Sequence, residues 1–272
     1  MDDSKLSIAI LSVHSCPAGH LGARDTGGMS VYIREVARAL SEQGHGVDIY
    51  TQLHNPEDAC VTTLGRDTRL IHLEAGQDRR VPKLALYASL PEFAANLENY
   101  RVEHHRRYDL VFSHYWLSGW VGESLRAWWQ VPHLMVFHTL GAIKNAIGIG
   151  ETEPEIRLET ERRLARSCPR LIATTEREKT ALVGHYGALP ERVGVVPCGV
   201  NLDLFRPGDA RAARQRLGLG EEKLILYVGR IEPLKGLDRL IEAMACLPGE
   251  PPRLVVIGGD DSSQPEIARL KA

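Results

Sequence analysis

The chain has 272 residues, 43% of them hydrophobic and 25% charged, which is room for one large domain or two smaller ones of ordinary globular composition. A formal net charge of −2 leaves no nucleic-acid footprint, and five scattered cysteines without a CxxC pair argue against a disulfide framework or a structural zinc site. No apolar run reaches ~18 residues, no HExxH occurs, and MDDSK reads as an acidic start rather than a signal peptide, so a cytoplasmic, reducing setting is expected.

Leu6–Val13 is a short apolar run without breakers, the pattern of a buried strand. A polar, glycine-rich stretch follows, His14–Met29, and then a helical stripe over Ser30–Gln43 carried by Val31, Ile33, Val36, Ala37 and Leu40. Gly44 and Gly46 stop the helix and Val47–Gln52 reads as a second strand. The chain thus opens with a βαβ unit whose long glycine loop lies at the carboxyl end of its first strand, where open α/β sheets bind ligands. Thr62–Leu64 and Leu70–Leu73 read as further short strands, Gln77–Val81 as a polar loop and Leu90–Arg107 as a helix. Strand Leu110–His114 precedes helix Gly119–Trp129, and strand His133–His138 precedes a loop over Gly141–Glu153, punctuated by Gly141, Gly148 and Gly150. Helix Glu155–Ser167, strand Leu171–Thr175, helix Glu176–His185 and strand Val193–Val196 complete this series. The alternation predicts an α/β class with a mostly parallel sheet.

Pro197–Pro207 lacks periodicity and reads as an interdomain connection. Asp209–Leu217 is a helix, and Leu224–Val228, a second buried strand pattern, starts another βαβ unit with helix Leu237–Met244 and strand Arg253–Ile257. The expected domains are residues 1–196, a connection over 197–208, and 209–272. Two strands and a few helices do not make a well-buried domain, so either the chain is a fragment, or its second half is vestigial or needs a partner.

Three features fall at carboxyl ends of strands: Gly27–Gly28, His138–Thr139, and Arg230 with Lys235. Gly229 ends the strand before Arg230, and Lys235 follows just ahead of a helix N-terminus, where free N–H groups and the helix dipole favour anions. Two fixed cations there suit a diphosphate. The competing reading is an ordinary βα turn with solvated charges. Gly27–Gly28 opens a helix and would let a ligand approach the backbone, or is simply a loose loop before a cap. Taken alone, His138 is better explained as a core histidine, and Tyr115 and Trp116 as core aromatics. The GxGxxG of a dinucleotide-binding oxidoreductase is missing after Val13.

In combination these stretches resemble a known family. DTGGMSVY (Asp25–Tyr32), SHYWLSG (Ser113–Gly119), FHTLGAIKN (Phe137–Asn145), PCGVNLDLFRPGD (Pro197–Asp209) and GRIEPLKG (Gly229–Gly236) occur in the order and spacing of the retaining, nucleotide-sugar-dependent GT-B glycosyltransferases. The chain resembles family 4 of these enzymes, which contains sucrose-phosphate synthase and sucrose synthase. It looks most like the mycothiol branch, which joins N-acetylglucosamine to inositol phosphate. The resemblance implies two Rossmann-like domains forming a cleft, the second only begun here.

It also implies roles. Arg230 and Lys235 match the pair that neutralises the donor diphosphate in place of a metal ion, and Gly27 and Gly28 match the loop that approaches the donor. His138 matches the histidine near the transferred sugar. Lys83, Tyr115, Thr139 and Arg157 match positions that hold an acceptor phosphate. The implied co-substrate is a nucleotide diphosphate sugar, UDP-linked, with no metal or other cofactor and no nucleic acid. Retaining transfer of a hexosyl group to a hydroxyl is the implied reaction, and the alternative is a fragment without independent activity. Ser30 stands where the mycothiol branch typically has Asn, which counts against inositol as acceptor. The family's distal acidic pair would lie beyond Ala272. Partner expectations also include a homodimer and peripheral membrane contact through Trp128 and Trp129 beside Arg126, against which stands packing of both tryptophans before Pro132.

Overall fold

The computed structural model describes residues 5–19, 26–76, 83–149, 151–259 and 263–271. Apart from short loop segments, the chain divides into a first unit through Cys198 and a second from Gly199 onward.

The first unit is built on one eight-stranded sheet. Its elements are β1 (Ser7–Leu11), α1 (Gly28–Glu42), β2 (Gly46–Gln52), β3 (Val61–Gly65), β4 (Thr68–Leu73), α2 (Lys83–Glu103), β5 (Leu110–His114), α3 (Tyr115–Trp129), β6 (His133–Val136), α4 (Gly141–Ile147), α5 (Glu155–Ser167), β7 (Arg170–Ala173), α6 (Glu176–Tyr186) and β8 (Val193–Val195). The strand order is β3-β4-β2-β1-β5-β6-β7-β8, with every pairing parallel except the β3–β4 hairpin at one edge. The order reverses between β1 and β5, so the crevice beyond their carboxyl ends is the switch point of a doubly wound sheet. Alternate residues supply the two faces. Ala9, Leu11, Val111 and Met135 pack in one apolar cluster with α2 and α3, while Ile8, Ile10, Phe112 and Val136 pack with Ile33 and Ala37 of α1 in the other. Charges are taken into this interior only with partners: Asp48, 2% exposed, accepts a bidentate pair from Arg69 at 2.7 and 2.8 Å and a bond from the Tyr108 hydroxyl at 2.6 Å.

Three sequence expectations are corrected. Residues 141–147 of the expected loop form α4; Gly141 starts the helix and left-handed Gly148 ends it, so these glycines bound an element instead of filling a loop. α2 begins seven residues before Leu90 and continues through Pro91, because Leu86, Leu90, Phe93, Ala94 and Leu97 bury on one side and offset the proline's lost bond. α3 starts at Tyr115, not Gly119, which puts two aromatics in its first turn. The polar loop expected over Gln77–Val81 lies outside the described residues. The tryptophan pair is split: Trp129 stacks on Tyr108 and donates to Glu98 at 2.7 Å, whereas Trp128 is 53% exposed. Among the described residues no helix is long and apolar enough to cross a membrane.

The second unit contains α7 (Ala210–Arg216), β9 (Leu224–Val228), α8 (Leu237–Ala245), β10 (Arg253–Ile257) and α9 (Gln264–Lys271). Asp209 caps α7 through bonds from the Arg211 and Ala212 N–H groups. β9 and β10 pair in parallel across α8, the expected βαβ unit. β9 forms where its apolar run predicts, but it is not buried: Leu226 and Val228 are 55% and 67% exposed, because a two-stranded sheet has too little surface to cover them.

Candidate functional site

At the switch point, the chain leaving β1 and the start of α3 meet. The His14 ring lies 4.4 Å from the Tyr115 ring, and the Val13 N–H donates to the Ser118 hydroxyl at 3.0 Å. The Ser30 and Ser15 hydroxyls bond at 2.7 Å, and Ser30 is fully buried. Ser30 therefore serves the loop after β1 and does not present its hydroxyl at the surface. Gly28 opens α1 and Gly27 precedes it with no side-chain cap bond. A methyl group added at either glycine meets nothing within 4 Å among the described residues. Among the described residues, packing does not demand glycine there and nothing closes the helix N-terminus to approach.

Beyond β5 and β6 the backbone is strained. Tyr115 has φ +76° and His138 φ +62°, both in the left-handed region. The Thr139 N–H donates to the Phe137 carbonyl at 2.7 Å, closing a three-residue turn around His138 of the rare γ type. Each such conformation costs about 1–3 kcal/mol, and it concentrates where geometry serves a ligand. The His138 ring is held by two others. Its Nε2 lies 2.9 Å from Nδ1 of His114, and the Tyr32 ring meets it edge-on at 5.2 Å.

Burial pushes His138 down to about 4 and His114 well below its ordinary value, helped for His114 by its histidine neighbour, so both are neutral at pH 7. The buried Nε2 of His114 has no partner among the described residues. Between two neutral rings one nitrogen of this contact donates and the other accepts, the direction being set by the tautomer.

The same burial makes folding pH-dependent. His133, 2% exposed and bonded to the Ser113 hydroxyl at 2.6 Å, is lowered to about 4, by desolvation first and Arg126 second. Below 6.5 the unfolded chain binds protons that buried His133 and His138 refuse, so stability is whole above pH 6.5 and falls as pH drops toward 4. His133 alone is expected to contribute on the order of 3 kcal/mol to that loss. Urea midpoints at pH 7 and pH 4.5 check this, and equal midpoints would contradict it.

The third group centres on Arg157, 2% exposed on α5. Its Nε donates to Glu161 at 2.7 Å, Nη2 to the Thr139 carbonyl and hydroxyl at 3.1 Å each, and Nη1 pairs with Glu153 at 2.8 Å. The guanidinium lies over the Tyr115 ring, 4.9 Å from its centre. Burial pushes the Tyr115 phenol up, partly offset by Arg157, so it remains a neutral hydroxyl. Glu161 is fully buried and also accepts from the Gly141 N–H at 2.9 Å and the Tyr186 hydroxyl at 2.7 Å. The Glu153 carboxylate bonds Lys144 as well, while Asn145 pins the Glu153 backbone on both sides, at 2.7 and 3.1 Å. Burial raises the Glu153 pKa, but the Lys144 and Arg157 contacts outweigh it and leave the carboxyl below its ordinary value.

In the second unit, Arg230 and Lys235 occupy one connection, between β9 and α8. Lys235 ends a 3-10 turn, Pro233–Lys235, and left-handed Gly236 leads into α8 without a side-chain cap. Arg230 pairs with Glu232 at 2.8 Å, and Asp238 lies in the first turn of α8. The two cations therefore come with two carboxylates nearby. Gly258 and Gly229 close the strand ends: a side chain at Gly258, φ +143°, would run into the Gly229 carbonyl at 1.8 Å.

Of the residues singled out from sequence, Tyr115, Thr139 and Arg157 join in one contact group, His138 sits in the adjoining turn, and Gly27–Gly28 head α1. Lys83 begins α2, but its side chain lies outside the described residues, as does Asp25. Five partners escaped the sequence reading: His14, His114, Tyr32, Glu153 and Glu161. Glu153 and Glu161 flank Arg157 at four residues on either side, a spacing that puts Glu161 on the same helical face.

Comparison with known proteins agrees with this architecture. The family model for Glycosyltransferase Family 4 matches residues 26–204, and that for Glycosyl transferases group 1 matches residues 209–272. D-inositol 3-phosphate glycosyltransferase of Geodermatophilus obscurus is 43% identical over 251 residues, covering 91% of this chain and 56% of the relative. Its namesake in Mycobacterium bovis is 39% identical over 265 residues, covering 96% and 55%. The chain thus spans about half the length of the curated relatives it matches. Among solved structures, sucrose-phosphate synthase from Thermosynechococcus elongatus superposes with a TM-score of 0.89 at 32% identity, covering 98% of this chain and 67% of that one. Anabaena HepE, solved with UDP and glucose, shares the fold at a TM-score of 0.68 and 16% identity, covering 98% and 65%. The fold is the GT-B type. With about two thirds of its length matched by the first family model and close relatives along nearly all of it, the chain belongs to glycosyltransferase family 4.

Proposed function

We propose that this chain is the acceptor-side domain and the start of the donor-side domain of a retaining hexosyltransferase. The donor is a UDP-linked sugar and the acceptor a hydroxyl of a sugar or cyclitol phosphate. The observation that supports this most is the convergence of Arg157, Thr139 and Tyr115 beside the strained His138 turn, at the carboxyl edge of the sheet. Cationic, hydroxyl and phenol groups gathered there suit a phosphate. Both the inositol-phosphate enzymes and sucrose-phosphate synthase carry a phosphorylated polyhydroxy compound in their names.

In this reading the bond from the sugar C1 to the donor diphosphate breaks while the acceptor oxygen bonds to C1 on the same face. The acceptor's proton passes to the departing phosphate oxygen. Arg230 and Lys235 stabilise the charge on that diphosphate in place of a metal ion. His138 hydrogen-bonds a hydroxyl of the transferred sugar. Arg157, Thr139, Tyr115 and Lys83 hold the acceptor phosphate, and Gly27–Gly28 leave room for the donor.

A second reading is that these 272 residues alone do not turn over. Their span of about half the relatives' length and the exposed β9 favour it. The test combines UDP-glucose or UDP-N-acetylglucosamine with phosphorylated and unphosphorylated acceptors. UDP release that depends on a phosphorylated acceptor, survives EDTA and retains the anomeric configuration by NMR is expected. Inversion, or release indifferent to acceptor, overturns the main reading. No turnover and no calorimetric UDP binding favours the second.

A further inference from the structure

We propose that Glu153 is a displaceable internal anion, seated on the Arg157 and Lys144 nitrogens that the acceptor's anionic group takes over when it binds. The proposal rests on the acceptor-side reading of Arg157 given above. As folded, Arg157 and Lys144 are matched by Glu153 and Glu161, so these four groups sum to no net charge. A phosphate entering a neutral, largely dry group gains little and meets two carboxylates.

The two carboxylates are not equally committed. Glu161 is fully buried, sits inside α5 and accepts from Arg157, Gly141 and Tyr186, so it is a permanent counter-ion. Glu153 precedes the Pro154 cap of α5, outside the helix, and its side chain is 15% exposed. Asn145 holds only its backbone. The Glu153 carboxylate can swing to solvent while its main chain stays pinned. Its departure frees the Lys144 ammonium and, beside the Thr139 hydroxyl and the Tyr115 ring, Nη1 of Arg157.

A consequence is selectivity by competition. An acceptor without an anionic group leaves Glu153 in place and finds the cations occupied, whereas a phosphorylated one replaces carboxylate with phosphate. Calorimetric titration of inorganic phosphate into wild type, Glu153→Gln and Glu153→Asp tests the exchange. Removing the competing charge is expected to tighten phosphate binding about tenfold or more in Glu153→Gln. Glu153→Asp keeps the charge and is expected to stay near wild type, with similar thermal melts certifying all three folds. Phosphate affinity in Glu153→Gln equal to or weaker than wild type overturns the proposal, as does equal change in both variants. Tightened phosphate binding in a protein whose UDP release is indifferent to acceptor, or whose transfer inverts, would sustain the exchange and sink the transferase reading. Turnover on an unphosphorylated acceptor, with phosphate affinity indifferent to residue 153, would do the reverse.

Discussion

On the mechanism proposed above, Arg230→Ala and Lys235→Ala are each expected to lower kcat for sugar transfer about 100- to 1000-fold, the usual loss when one preorganised charge-stabilising group leaves a catalytic site. Rates of UDP release at saturating donor and acceptor would read this. The folding cost of the same changes is expected to be small. The Arg230–Glu232 pair is more than a third exposed on both sides, and such surface pairs contribute about 0–1 kcal/mol. A large kinetic effect with an almost unchanged melting curve would therefore isolate charge stabilisation as the cause. Arg230→Lys should recover only part of the rate, because a point charge does not reproduce the planar fork of a guanidinium on a diphosphate. Both alanine variants turning over within a few-fold of wild type would refute the mechanism.

Arg157→Ala is expected to destabilise the first unit by about 3–5 kcal/mol, the range for removing one partner of a buried ion pair. The loss arises mainly from what is left behind. Glu161 would remain fully buried with only the Gly141 N–H and the Tyr186 hydroxyl to hold its charge. Urea denaturation followed by circular dichroism measures the change. The double variant Arg157→Met with Glu161→Gln should recover much of it, since neither charge then stays unmatched. A loss below about 1 kcal/mol in the single variant would mean that water reaches Glu161 and that the cluster is not a dry ionic core.

Much of the fold was legible because a doubly wound sheet writes itself as short apolar runs. Leu110–His114, Leu224–Val228 and Arg253–Ile257 match their strands residue for residue. Glu155–Ser167 matches its helix because Leu158, Leu164 and Ala165 recur at helical spacing, although Arg157 and Glu161 are buried on the same face. α4 was not legible: seven residues is too short for periodicity to show, and its bounding glycines read as loop signals. The first turns of α2 are not legible because Pro91 resembles a helix start, and only the packing of Leu86 reveals them. In the site, motif likeness supplied Tyr115, His138, Thr139 and Arg157. The partners of those residues come from pairings across the fold, such as His114 with His138, 24 residues apart, which no local pattern encodes.

The left-handed turns at Tyr115 and His138 have a further consequence. Each ring is aimed during folding, before any ligand arrives, and the energetic burden of that awkward backbone is carried by the packed sheet beneath it. A guest then meets a rigid mould rather than a yielding one, and loses less freedom on arrival. Such a mould is choosy about outline. Changes of substrate preference across the family should therefore come from side chains around these two corners and not from bending the corners themselves.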